Sequence, residues 1–214
     1  DKSAFGGIVA VNGPVTASVA EAIVAGPQAD VIIAPAYGEG AVDMLVARRK
    51  ATRILEAPPP EPQRREFRQI GGGFLVQTPH HFATGRDDWR VVTARQPSES
   101  EWQDAALAWR LGGYVKSNSI VLVANGQAVG IGAGQQSRVD SAEIATRKAA
   151  GRARGGACAS DAFFPFPAGL EAAAASGVAV VIQPGGALRD DEVTAAADRL
   201  GISMIFTGER HFLH

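Results

Sequence analysis

The chain has 214 residues, 46% of them apolar and 20% charged, with a formal net charge of -1. Such a chain buries a substantial core as one large domain or two small ones, and its composition is that of an ordinary globular protein. Near-zero net charge excludes an overall drive toward nucleic acid or an anionic membrane, and no apolar run reaches the roughly eighteen residues of a membrane span.

The chain opens at Asp1 without Met or a signal peptide, and so reads as a fragment whose natural start lies upstream. Ile8 to Val11 reads as a short buried strand. Ser18 with Glu21 forms a capping box for a helix whose Val19, Ala22, Ile23 and Gly26 share a face, and Gly26-Pro27 stops it. Val31 to Ala34 is a second strand, a helix is expected from Glu39 to Lys50, and Arg53 to Leu55 is a third strand. Continuous apolar strands after each helix predict a sheet covered on both faces. Arg48, Arg49, Lys50, Arg53, Arg64, Arg65 and Arg68 outnumber Glu56, Glu61 and Glu66, which reads as a solvated basic face or as a patch that attracts an anionic substrate. Residues 57–68, with Pro58-Pro59-Pro60 and Pro62, are expected to be irregular, and Phe74 to Gln77 returns to strand. The polar stretch Thr78 to Trp89 is the candidate boundary between two units.

The second portion opens with a capping box of Ser98 and Glu101, whose helix sets Trp102, Ala105, Ala106 and Trp109 on a core face. Strands Ile120 to Ala124 and Ala128 to Ile131 flank Asn125-Gly126, a hairpin signal because both turn positions need positive φ. Asp140 with Glu143 is expected to cap the next helix, and Val178 to Ile182 is a buried strand. Asp190 starts a helix with Val193, Ala196, Ala197 and Leu200 inward, Gly201 ends it, and Ile202 to Phe206 is the last strand. Hairpin, helix, strand, helix, strand, helix, strand is a three-layer α/β/α arrangement with the hairpin as an antiparallel edge.

Chemistry concentrates in three non-helical stretches: Ser117-Asn118-Ser119, Gly130 to Arg138, and Ser160 to Phe166. The glycines do not spell a dinucleotide fingerprint, since position 135 is Gln where the third glycine belongs. A hairpin followed by a helix is the unit of the zinc nucleoside deaminases, but their H-x-E and P-C-x-x-C signatures are missing. His80, His81, His211, His214 and the lone Cys158 do not form a zinc set. Cys158 cannot form an internal disulfide, which fits a reducing cytoplasm, and an inert, half-buried thiol is expected. Arg138 beside a helix entrance can project its guanidinium toward an anion, and Asn118 falls at a sheet end. Phe163, Phe164 and Phe166 around Pro165 read either as core or as a rigid wall for a flat heterocycle. Gln183-Pro184-Gly185-Gly186 is a turn able to bring bare backbone against a ligand.

The strings SAFGGIVA, DVIIAP, VKSNSIV, NGQAVGIGAGQQSRVDSA, ASDAFFPF, QPGG and FTGERHFLH resemble, in order from Asp1 to His214, the transformylase part of the bifunctional AICAR transformylase/IMP cyclohydrolase family of purine biosynthesis. The resemblance implies two cytidine-deaminase-like subdomains with mixed sheets and no catalytic zinc, residues 1–88 being the C-terminal part of the first and 89–214 the second. It implies formyl transfer from 10-formyltetrahydrofolate to AICAR in a cytoplasmic homodimer with shared active sites, without nucleic acid or membrane partners. It places Asn118 on the AICAR carboxamide and Phe163 against the base. Phe5, Gly6 and Asp30 fall on the nucleotide side, and Arg210 on the phosphate. Arg138, the Val139 backbone, Pro165 and Phe166 would line the folate side, and His214 would orient a catalytic Lys-His pair. Potassium near Ser117, Ser119 and Asp161 is a further implication. The family's KHxNPCG-like motif, which carries that pair, does not occur in the sequence. Ala168 and Ala187 stand where relatives often have Asp and Ser on the folate side. Three readings stay open: a fragment inactive alone, an enzyme whose upstream segment is separate, and a non-catalytic dimerisation or substrate-binding module.

Overall fold

In the first stretch each strand leads through a helix to a parallel neighbour. The order is β1 (Gly7–Ala10), α1 (Ala17–Ala25), β2 (Ala29–Ala34), α2 (Ala41–Arg48) and β3 (Arg53–Glu56), with the strands side by side as β1-β2-β3. The computed structural model describes residues 6–48, 50–61 and 65–214, so the expectations for Phe5, Arg49, Pro62 and Arg64 lie outside the described residues. Residues 1–79 and 80–214 form two compact units, the division falling within the polar stretch 78–89.

In the smaller unit, period-two alternation sorts the strand residues between two faces. Val9, Val11, Ile32, Ala34 and Ile54 join Ala20, Ala41 and Leu45 of α1 and α2 in one core. The opposite rows carry Ile8, 71% exposed, and Leu55, 49% exposed, so the expectation of a sheet covered on both faces fails here. The reason is connectivity: both crossovers proceed in the same direction across the sheet, so handedness sends both helices to one side.

Helix α1 also starts earlier than its expected cap. Thr16, in extended conformation, accepts from Val19 N at 3.4 Å, while Ser18 already lies inside the helix and spends its hydroxyl on Thr16 Oγ1. A cap must stand just outside the first helical residue, which decides between them. The proline-rich segment is shorter than expected, because β4 (Glu66–Ile70) pairs with β5 (Gly73–Gln77) in an antiparallel hairpin.

The larger unit contains β6 (Arg90–Val91), α3 (Glu99–Gly112), β7 (Ile120–Ala124), β8 (Gln127–Gly132), α4 (Arg138–Ala149), β9 (Ala157–Ser160), α5 (Pro167–Ala174), β10 (Val180–Gln183), α6 (Asp190–Arg199) and β11 (Ser203–Phe206). The sheet order is β6-β11-β10-β9-β7-β8; β9, β10 and β11 are parallel, and the β7–β8 hairpin forms an antiparallel edge. Asn125 (φ 53) and Gly126 (φ 71) make the hairpin turn, and the Asp104 carboxylate accepts both their N–H groups. Alternation again sorts the faces. Ile120, Leu122, Cys158, Val181 and Met204 pack with α4, α5 and α6, whereas Val121, Val123, Val180, Ile182 and Ile205 pack with Ala105, Ala108 and Trp109 of α3. The Ser98–Glu101 capping box is present at α3. Leu200, expected inward, is 47% exposed because it follows the last turn of α6 as its C-cap. No helix of the described residues is long and apolar enough to cross a membrane.

Candidate functional site

The registers bring five loops of the larger unit to one end of its sheet. Ile120 pairs with both Gly132 and Ser160, and Gln183 pairs with Phe206. The segments before Ile120 and after Gly132, Ser160, Gln183 and Phe206 therefore leave the sheet together, at the carboxyl ends of its three parallel strands. Open α/β sheets commonly bind ligands there.

The glycines of β8 set the spacing of this end. A Cβ at Gly132 would collide with Ser141 O, and one at Gly130 with Ala145 O, so their bareness lets β8 lie directly against α4. This close approach, rather than a phosphate cradle, explains the cluster. Ser137 caps α4, accepting from Asp140 N at 3.1 Å, in place of the expected Asp140. Asp140 is held as an acceptor of the Ser137 hydroxyl at 2.8 Å.

Arg138 is consequently the first residue of α4 and folds back into the unit instead of projecting outward. Its Nε donates to Ser160 Oγ at 3.2 Å, its NH2 lies 3.4 Å from Asp161 Oδ1, and its side chain is 15% exposed. Burial pulls the guanidinium below its ordinary value, and the Asp161 carboxylate opposes that shift. Asp161 is itself buried; it accepts from the Ser117 hydroxyl and, at 3.2 Å, from Ser119 N. The Ser119 hydroxyl is buried with no hydrogen-bond partner among the described residues.

The Ser117–Asn118 peptide is cis. Asn118 exchanges backbone hydrogen bonds with Gln135, and its Nδ2 donates to the carbonyls of Gln135 and Gln136, each at 3.0 Å. Both amide hydrogens are thus engaged, and among the described residues no donor meets Oδ1. The half-buried side chain offers an acceptor.

The three phenylalanines differ in burial. Phe164 is fully buried, with its N–H donating to Gln183 Oε1 at 3.0 Å. Phe163 and Phe166 face outward, each under a guanidinium: Arg210 stands 4.8 Å over Phe163, and Arg189 stands 5.1 Å over Phe166. Pro165 between them is exposed, as is Ala168, while Val139 and Ala187 are half-buried. Gly185 (φ 72) and Gly186 (φ 88) form the facing turn, and a Cβ on Gly185 would approach Phe206 to 2.6 Å. Arg210 is exposed and makes no ion pair among the described residues.

The C-terminal segment supplies residues that sequence reasoning missed. His211 is 3% exposed, with its Nδ1 2.7 Å from His80 Nε2 and its Nε2 3.1 Å from Glu209 Oε1. Its ring meets Trp109 and Phe82 at 4.9 and 4.4 Å between centroids. Nothing local could have revealed a partner 131 residues away. His214 is exposed with its ring stacked on Phe212. Cys158 is fully buried in the sheet rather than half-buried as expected, and burial pushes its thiol up to about 12, in keeping with an inert thiol.

In the smaller unit, Gly6 (φ 78) and Asp30 are neighbours: a Cβ on Gly6 would stand 3.9 Å from Asp30 Oδ2, and Asp30 Oδ1 accepts from Gln28 Nε2. Among the described residues no group of three or more His, Cys, Asp or Glu side chains could hold a metal ion.

The family model described as AICARFT/IMPCHase bienzyme matches residues 1–148. The bifunctional purine biosynthesis protein PurH of Dinoroseobacter shibae is 49% identical over 225 residues, covering 99% of the chain and 42% of that relative. The protein of the same name from Chlorobium phaeobacteroides is 49% identical over 216 residues, covering 100% of the chain and 41% of the relative. The chain thus spans about two fifths of the length of these curated relatives.

Proposed function

The chain belongs to the AICARFT/IMPCHase bienzyme family, and on that premise we propose that it holds substrate-binding parts of a formyltransferase of purine biosynthesis. The reaction is formyl transfer from 10-formyltetrahydrofolate to the 5-amino group of AICAR. The amine nitrogen attacks the formyl carbon, a tetrahedral oxyanion forms, and its bond to N10 breaks. One proton leaves the amine and one arrives at N10, giving FAICAR and tetrahydrofolate. The neighbouring ring and carboxamide weaken the amine, so the reaction needs positioning, proton removal and support for the oxyanion.

One observation carries the reading: Asn118 offers a bare acceptor at the sheet end from which an unpaired Arg210 also emerges over Phe163. An acceptor suits the N–H groups of the AICAR carboxamide, an aromatic face suits its base, and a guanidinium fork suits its phosphate. Gly6 and Asp30 would serve the nucleotide side together with Phe5. Val139, Pro165 and Phe166 would line the folate side. Arg138 acts there through the ion pair that shapes the loop, with its guanidinium turned to Asp161. His214 would orient the Lys-His pair of the KHxNPCG-like motif. These 214 residues lack that motif, so transfer by this chain alone is expected to fall below detection.

The proposal extends to the fold, with cytidine-deaminase-like subdomains over 1–88 and 89–214 in three-layer α/β/α form, and to a cytoplasmic homodimer with shared sites. A monovalent cation such as potassium fits beside the buried Ser119 hydroxyl and the carboxylate of Asp161, with Ser117 adjacent; no step of the reaction passes through it.

Titration calorimetry of the chain with AICAR tests the reading. Binding should weaken roughly ten- to a hundredfold in Arg210→Ala and clearly in Asn118→Ala. Binding unchanged in both variants would remove the assignment.

A further inference from the structure

We infer that Glu209 and His211, together with His80, are positioning residues that clamp the backbone on both sides of Arg210 and so hold its guanidinium over Phe163. The inference rests on the reading of Arg210 as the phosphate-binding residue.

The clamp begins where the segment leaves the sheet. Thr207 N donates to Gln183 O at 2.9 Å and Gly208 N to Pro184 O at 3.0 Å. Glu209 then turns its carboxylate inward: Oε2 accepts from Ala83 N at 2.9 Å and Thr84 N at 3.2 Å, and Oε1 accepts from His211. On the far side of Arg210, His211 N donates to Asp161 O at 3.1 Å, and Ser117 N donates to Leu213 O at 2.9 Å.

The ring of His211 locks this geometry through its tautomer. A carboxylate can only accept, so Nε2 of His211 carries the proton toward Glu209, and Nδ1 is left to accept from Nε2–H of His80. Each nitrogen of the buried ring thus has one role, and the rings of Trp109, Phe82 and His80 pack against it. Residues 209 and 211 point into the unit; residue 210 between them faces out. Gly186 borders that side: a Cβ there would stand 3.8 Å from Arg210 NH2, an ordinary contact. Arg138 is aimed by a direct ion pair, but a direct partner would compete with a ligand phosphate. Arg210 is aimed through its neighbours in the chain, which leaves all its donors available. Pre-orientation of this kind lowers the ordering cost of binding.

The test compares AICAR with its dephosphorylated nucleoside by titration calorimetry on the wild-type chain, Arg210→Ala, His211→Gln and His80→Ala. The wild type should bind AICAR at least about tenfold more tightly than the nucleoside, and Arg210→Ala should abolish the difference. His211→Gln should shrink it to within about threefold while leaving nucleoside affinity unchanged. His80→Ala should give an intermediate ratio; the residue is exposed whereas His211 is buried, so it carries the test if His211→Gln misfolds as judged by tryptophan fluorescence. A merely structural role for His211 would lower the melting temperature and weaken both ligands equally, and equal weakening or an unchanged ratio overturns the inference. A wild-type chain that binds AICAR no better than the nucleoside overturns the phosphate reading of Arg210 itself, and the inference with it.

Discussion

The two units use the same β-α-β grammar to different depth. In the larger unit both faces of the sheet meet helices, and fully buried side chains stand on either side of it. In the smaller unit only one face of the β1-β2-β3 sheet does, and Ile8 and Leu55 on the other remain exposed. The difference decides how well each unit can hold a functional group in place. Asn118, Asp161 and Arg210 stand on side chains and backbone that cannot shift without disturbing a packed core. Gly6 and Asp30 lie at one end of a three-stranded sheet with an open face. Rigidity at a site follows from the layers beneath it.

The sharpest way to break this comparison is through glycine. Gly132→Val should destabilise the larger unit by about 3 kcal/mol or more, because the new side chain displaces α4 from β8. Gly13→Val in the smaller unit, where a Cβ meets nothing within 4 Å, should be nearly silent. Trp89, Trp102 and Trp109 all lie in the larger unit, so tryptophan fluorescence follows Gly132→Val there, and calorimetric melting, which reports both units, follows Gly13→Val. Equal effects of the two substitutions would erase the distinction.

Truncating an aromatic side chain in each unit asks the same of burial. Phe164→Ala should cost about 3–5 kcal/mol, whereas Phe67→Ala, 64% exposed on the β4–β5 hairpin, should stay within about 0.5 kcal/mol. Calorimetric melting of the two variants checks the ratio.

The arginines sharpen the comparison inside the larger unit. Arg138→Ala strands the buried Asp161 carboxylate and should cost about 3 kcal/mol of stability. Arg210→Ala should leave stability within about 0.5 kcal/mol and act on AICAR affinity instead. If Arg138→Ala left the melting temperature unchanged and weakened folate alone, Arg138 would be a direct ligand contact.

The smallest expected effect is of pH. Burial, opposed by Glu209 and reinforced by His80 and His81, lowers His211 below its ordinary value near 6.5. The unfolded chain therefore takes up this proton first as pH falls. The contribution of neutral His211 is complete above about 6.5 and is lost as pH drops from there toward the lower folded value. Melting temperature followed from pH 7.5 downward should decline in that window, and less so in His211→Gln.

Local rules made much of the fold legible. The Ser98–Glu101 box, the Asn125–Gly126 turn and strands β7, β8, β10 and β11 act over a few residues and appear close to where the sequence predicts them, whereas β6 and β9 carry no assigned range there. Caps proved less legible where several candidates crowd together, as at Thr16 and Ser18 or Ser137 and Asp140, because backbone conformation chooses among equivalent oxygens. The β4–β5 hairpin was hidden by the prolines before it.

By itself the sequence determined the family, the α/β character and the loops that carry chemistry, since residue type and spacing are enough for these. Only the tertiary structure decided which way each group faces. Phe164 is core while Phe163 stays half-buried beside Arg210, because the loop leaves β9 at the level of Gln183, whose amide oxygen accepts the Phe164 N–H. Arg138 faces inward because Asp161, 23 residues on, is buried and needs a cation. Arg210 faces outward because His211 is captured by His80, 131 residues back along the chain. Direction comes from partners distant in sequence, and no local pattern encodes them.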